Sequence, residues 1–276
     1  MTSISLERRR SPAAAESRQA YIELCNVSKT YESERGTVEA LRDVSLSVGT
    51  GEFVSVVGPS GCGKSTLLRC VSGLEEPSAG TISLKGEAVI SPAPSMGMVF
   101  QRDVLLDWRN ILENVLFTAD FRGLPRKQWI GRAKELLELF GLSEFQNRYP
   151  WELSGGMRMR AAICRALLDA PELLLMDEPF AALDAFTRDD LNLELQKINQ
   201  KTKSTTIFIT HNITEAIFLG DKVVVMDRRP GRIAHVLDID LARPRALSVR
   251  ETPQFAEYGS IIRQTFEKLG ILRSQV

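Results

Sequence analysis

In the second half of the chain, short apolar runs alternate with longer amphipathic stretches. Leu173 to Met176, Thr205 to Ile209 and Lys222 to Met226 predict strands, while Phe186 to Ile198 and Asn212 to Leu219 predict helices between them. Such alternation means a parallel sheet covered on both faces. Pro230-Gly231 predicts a turn into a further run, Arg232 to Leu237. Beyond Pro244, Phe255, Tyr258, Ile262, Phe266 and Leu269 recur at helical spacing, most simply as the packing face of a last helix.

The first half reads differently. Glu52 to Val57 is a continuous apolar run, as in a buried strand, and Lys64 to Val71 is helical. Around it, Tyr21 to Val27, Val44 to Val48 and Thr81 to Leu84 are β-rich and are bounded by the turns Gly49-Thr50-Gly51 and Lys85-Gly86, predicting a flanking antiparallel sheet. From Arg102 to Ala170 the pattern turns helical. Pro125 marks a helix start, Ile130, Ala133, Leu137 and Phe140 recur at threes and fours, and Gly141 ends the run. The expected organisation is a leader over 1–20 with a flexible composition, a main domain over 21–240 with a helical insertion over about 102–170, and a helical extension over 241–276. The fold class is mixed α/β. No internal repeat or low-complexity tract is present.

Composition narrows the function classes. The chain has 276 residues, 43% hydrophobic and 25% charged, which is ordinary for a folded protein. Lys+Arg and Asp+Glu balance at 35 each, so no bulk positive field argues for nucleic acid. Cys25, Cys62, Cys70 and Cys164 lack C-x-x-C spacing, which indicates neither a zinc site nor a disulfide framework and fits a reducing cytoplasm. No stretch is apolar for long enough to span a bilayer, so a membrane role has to run through a partner.

The chemistry begins at Gly58-Pro59-Ser60-Gly61-Cys62-Gly63-Lys64-Ser65-Thr66, which fits the phosphate-binding pattern G-x-x-x-x-G-K-S/T between a strand and a helix. The glycines let backbone N–H groups curl around a pyrophosphate, Lys64 can reach the β and γ phosphates, and the Ser65 hydroxyl can ligate Mg²⁺. Cys62 reads as a small spacer in this loop. A second motif ends the apolar strand at Met176-Asp177-Glu178-Pro179. There Asp177 can hold Mg²⁺ through water, and Glu178 can polarise a water for in-line attack on a γ-phosphate.

Leu153-Ser154-Gly155-Gly156-Met157, ahead of the helical run Arg158 to Leu168, resembles the signature of the ATP-binding cassette (ABC) family at four of its five positions. Small residues at a helix N-terminus offer open amides and a positive dipole end to a phosphate. The resemblance runs from about Tyr21 to Leu237 and implies a P-loop NTPase of ABC type with two nucleotides sandwiched between two chains. It implies that Ser154, Gly155 and Gly156 serve the γ-phosphate held by the opposite subunit. It further implies that Gln101, after Met98-Val99-Phe100, senses Mg²⁺ and the attacking water, and that His211 contacts the γ-phosphate and orients Glu178. Asp184 is implied to face the other subunit, and Tyr31 to stack on adenine. Met157 replaces the usual Gln and offers ribose no comparable hydrogen bond, so the implied ribose contact across the dimer departs from the family pattern; separately, Ala181 stands where the family often has Ser.

The segments Gly58 to Thr66, Leu153 to Arg160, Pro179 to Arg188 and Asp227 to Ile233 look like the nitrate/sulfonate/taurine group of bacterial importers, in which Met at the last signature position is familiar. Leu105-Leu106-Asp107-Trp108-Arg109 resembles the segment of that group near the permease-docking groove. The implied protein is an ATP-hydrolysing subunit at the cytoplasmic face of the inner membrane. Its implied partners are a transmembrane permease, a second copy of itself and, indirectly, a solute-binding protein. Nitrate, sulfonates, taurine and thiamine-precursor pyrimidines remain open as solutes. Two other readings are weaker. Soluble ABC proteins of translation or repair carry paired cassettes or long insertions, and a GTPase needs an Asn-Lys-x-Asp run that this chain lacks.

Overall fold

The computed structural model describes residues 19–34 and 36–272. The leader expected over 1–20 lies outside the described residues except for Gln19 and Ala20, and Ala20 already opens a strand; residues 273–276 also lie outside.

A six-stranded sheet has the order β10-β9-β3-β8-β7-β6, with strands β3 (Phe53–Val57), β6 (Met96–Val99), β7 (Leu173–Asp177), β8 (Thr205–Ile209), β9 (Lys222–Met226) and β10 (Ile233–Asp238). All pairs are parallel except β10 with β9. Every residue of β3, β7 and β8 is buried, as a sheet covered on both faces requires.

Alternate residues of β3, β7, β8 and β9 enter different cores. Phe53, Val57, Leu174, Met176, Phe208, Val223 and Val225 face a core shared with the helical part of the chain. Val54, Val56, Leu173, Leu175, Ile207, Ile209, Val224 and Met226 face one shared with the antiparallel sheet. The period of two along a strand makes this division. Phe208, flanked by the rings of Phe53 and Phe180, is fully buried and contributes about 3 kcal/mol by removal from water.

The antiparallel sheet, order β2-β1-β4-β5, contains β1 (Ala20–Ser33), β2 (Gly36–Gly49), β4 (Ala79–Leu84) and β5 (Glu87–Ala88). Its first two strands run well past the predicted Tyr21–Val27 and Val44–Val48. Bulges between Leu24 and Thr30 break the period-two pattern there, and the extended hairpin is exposed and polar towards its tip.

Helix α1 (Lys64–Val71) packs under this sheet. The insertion holds α2 (Ile111–Phe121), α3 (Arg126–Leu139) and α4 (Gly155–Leu167). Helix does not begin at Arg102 as the pattern suggested. Residues 102–110 form a loop held by buried Asn114, whose Nδ2 donates to the Leu106, Arg109 and Asn110 carbonyls while its Oδ1 accepts from Leu106 N–H. Asn110 and Glu113 then form a reciprocal cap that starts α2.

Helices α5 (Ala185–Thr202) and α6 (Ile213–Leu219) complete the alternation, and α7 (Pro253–Lys268) follows. The stripe on α7 is a packing face: Phe255, Ile262 and Phe266 join the core beside α6. Among the described residues no helix is long and apolar enough to cross a membrane.

Candidate functional site

Parallel strands β3, β6, β7, β8 and β9 all end at one edge, where open α/β sheets bind ligands. The register sets neighbours there: Val99 pairs with Met176, and Asp177 with Ile209. Gln101, Asp177-Glu178 and His211 therefore leave adjacent strand ends, beside the loop that leaves β3.

That loop, 58–63, turns on glycines: Gly61 and Gly63 have positive φ, and Gly58 and Gly63 leave no room for a Cβ. Gly63 has φ +95°, and a Cβ there would lie 2.6 Å from the Ala40 carbonyl oxygen. Pro59, Ser60 and Cys62 complete the turn, with Cys62 N–H donating to the Pro59 carbonyl at 3.3 Å. Cys62 is buried and burial pushes its thiol up, which suits a spacer and not a nucleophile. Lys64 is only 5% exposed, and its ammonium donates to the Gly58 and Pro59 carbonyls at 2.9 and 3.1 Å.

Glu178 is the meeting point. Its Oε1 lies 3.8 Å from Lys64 Nζ; its Oε2 accepts from Gln101 Nε2 at 3.4 Å and lies 3.5 Å from His211 Nδ1. Its backbone is left-handed, φ +47°, unusual for a residue with a side chain, and its N–H donates to Ile209 O at 3.0 Å. Such strain persists where surrounding structure imposes it, commonly at functional sites.

Asp177 is buried beneath it, and Asp177 Oδ1 meets no hydrogen-bond donor. Burial pushes its carboxyl up, while the Ser65 hydroxyl and the Lys64 ammonium pull the other way.

A cavity of about 270 Å³ opens over these groups, lined by Ser60, Gly61, Gly63, Lys64, Ser65, Thr66, Gln101 and Glu178, with Tyr31, Val38, Ala40 and Arg229. The Tyr31 hydroxyl donates to the Glu75 carboxylate and lies 3.4 Å from Thr66 Oγ1, tying the ring to α1; burial and then the Glu75 bond push its phenol up. Val38, Ala40 and Arg229 were not among the residues expected. Val38 and Ala40 sit on the part of β2 whose strand pattern was illegible, and Arg229 precedes a turn whose approach to the loop is tertiary.

The remaining expected residues do not line this cavity. Ser154 caps α4, its Oγ accepting from Met157 N–H at 3.3 Å, and Gly155 and Gly156 form the first turn. Asp184 caps α5, accepting from Thr187 N–H and Oγ1 at 3.0 and 2.6 Å, bonds that hold its carboxyl below the usual range. The two caps are linked, since a Cβ on Gly156 would meet Leu183 Cδ2 at 2.7 Å. Both present exposed surface.

Residues 41–181 match the family model described as ABC transporter. The chain is 46% identical to the taurine import ATP-binding protein TauB of Rhizobium johnstonii, over 86% of this chain and 93% of that protein. It is 40% identical to the aliphatic sulfonates import ATP-binding protein SsuB of Bacillus cereus, over 92% and 99%. Among solved structures it is similar to an ATP-binding cassette in a dimeric post-hydrolysis state bound to ADP and Pi, at TM-score 0.73 and 31% identity, covering 80% of this chain and all of that one. The fold is that of a P-loop NTPase of ABC type, and the chain belongs to the ABC transporter family.

Proposed function

We propose that this chain is the ATP-hydrolysing subunit of a bacterial ABC importer for a nitrate, sulfonate or taurine-like solute. The observation that carries the catalytic part is the convergence of Lys64, Gln101 and His211 on Glu178 beside the phosphate loop. In this reading the loop amides of 58–66 cradle the phosphates, Lys64 turns from its own carbonyls to the β and γ phosphates, and Tyr31 stacks on adenine. Glu178 accepts a proton from the attacking water, with His211 and Gln101 orienting its carboxylate.

Mg²⁺ fits these residues. The donor-free buried Oδ1 of Asp177 and the Ser65 hydroxyl beside that carboxyl are hard oxygen ligands, and Asp177, Ser65 and Gln101 would hold the ion. It would supply neutralisation of phosphate charge.

Ser154, Gly155 and Asp184 stand exposed, Gly156 half-buried beside them, and all four lie outside the chain's own cavity. That placement favours their serving the nucleotide of a second copy in a head-to-tail dimer. Residues 21–240 form the ATPase domain, with the insertion at about 102–170 and a helical extension from 241. The 102–110 loop, with Trp108 74% exposed, offers a face to a permease. The protein would sit peripherally at the cytoplasmic face of the inner membrane, with a solute-binding protein acting outside.

The test is to isolate the chain from gently solubilised native membranes, identify what accompanies it, and assay the assembly for Mg²⁺-dependent ATP hydrolysis. A multi-spanning permease is expected. Ribosomal or repair proteins without a permease would overturn the importer reading and leave the ATPase reading standing.

A further inference from the structure

Four of the five parallel strand ends at the site edge already carry an assigned group; the fifth, after β9, carries Arg229. Its Nε donates to the Gly61 carbonyl at 3.3 Å, and the side chain lines the cavity with Tyr31, Lys64 and Glu178. Among the described residues no carboxylate lies within ion-pair distance of this guanidinium. A permanent cation with no acid partner among the described residues thus stands at the rim of the phosphate loop.

Its position is built. Two residues on, Gly231 is wedged between the phosphate loop and the antiparallel sheet: a Cβ there would lie 2.0 Å from the Cys62 carbonyl oxygen and 3.1 Å from that of Ala40. Gly231 N–H donates to Ala40 O at 2.9 Å, and its carbonyl accepts from Arg42 N–H at 3.0 Å. The turn is clamped on both sides, which fixes the backbone from which the exposed Arg229 side chain reaches the loop.

We infer that Arg229 is a nucleotide-binding residue whose guanidinium holds the phosphate chain from outside the phosphate loop. The inference rests on the nucleotide reading above. Guanidinium suits this task because its planar fork gives two parallel charge-assisted hydrogen bonds to phosphate oxygens, which an ammonium cannot reproduce.

The experiment titrates fluorescent ATP and ADP onto the full chain as wild type, Arg229→Met and Arg229→Lys. It adds adenosine competition, steady-state KM and kcat, and melting of the ligand-free proteins. Arg229→Met is expected to weaken both nucleotides about tenfold. It should raise KM more than it lowers kcat and flatten the salt dependence of binding, with adenosine competition unchanged. Arg229→Lys should recover part of the loss; it keeps the charge and stem, so it carries the comparison if the Met variant folds poorly.

Unchanged ATP and ADP affinity in Arg229→Met would overturn the inference. So would a loss equally large for adenosine, which would place Arg229 on the base. A wild-type chain that binds neither nucleotide would overturn the nucleotide reading itself.

Discussion

His211 Nδ1 stands 3.5 Å from Glu178 Oε2, a relationship made by the parallel register of β7 and β8, in which Asp177 and Ile209 are partners. The proposed general base, Glu178, thus has the His211 imidazole and the Gln101 amide against the same carboxylate oxygen. Glu178→Gln keeps the shape and removes the basicity. Steady-state phosphate release should fall about 10²- to 10⁴-fold with ATP binding retained. Near wild-type turnover would remove Glu178 from the base role.

Gly63 joins the phosphate loop to α1 in a conformation that side chains rarely adopt, with backbone of β2 directly against it. Gly63→Ala should cost about 1 to 3 kcal/mol from the backbone alone. The clash with the Ala40 carbonyl adds to this. Denaturant unfolding and ATP titration should report the change together, because the same displacement moves the loop amides.

Arg245 is 2% exposed, and its Nη1 donates to the Ile217, Phe218 and Gly220 carbonyls at 2.8, 2.9 and 2.8 Å. It caps the C-terminus of α6, the helix that follows His211. Burial, then the charge of Arg243, lowers its pKa to about 10, leaving it charged at neutral pH. Arg245→Met orphans those carbonyls and should cost about 3 kcal/mol, read from the denaturant midpoint. A midpoint equal to wild type would show that the carbonyls find other donors.

Glu215, 4% exposed, accepts from the Thr210 hydroxyl at 2.6 Å and lies 3.2 Å from Arg188 Nε. Burial outweighs both partners and raises its pKa above 4.5. In the window above 4.5 the folded state binds more protons than the unfolded one, so the Glu215 contribution is complete below that value and lost as pH rises through the raised pKa. Relative to Glu215→Gln, wild type should lose stability as pH rises across this window. Urea unfolding at several pH values measures the difference, and parallel profiles would contradict the shift.

The parallel core was legible in the chain because strands buried on both faces are uniformly apolar. Leu173 to Met176, Thr205 to Ile209 and Lys222 to Met226 were read within a residue of their observed ends. The phosphate loop and the Asp177-Glu178 pair were legible for a related reason: backbone curvature demands glycine, and metal and water chemistry demands carboxylates at a strand end. Short β6 and the long hairpin of β1 and β2 were not, since Met96–Val99 has no period of its own and bulges scramble the alternation of the hairpin. The loop before α2 passed for helix because the side chain that holds it, Asn114, lies several residues downstream.

Which residues could do chemistry was thus determined locally, by the amino-acid types that phosphate, metal and water require. Which of them meet was decided by strand order. Gln101, Glu178 and His211 converge because β6, β7 and β8 are neighbours in parallel register, and Arg229 reaches Gly61 because Gly231 is wedged between the loop and β2. Those distances are set by hydrogen-bond ladders and close packing between segments far apart in the chain, an interaction that no local run of residues encodes.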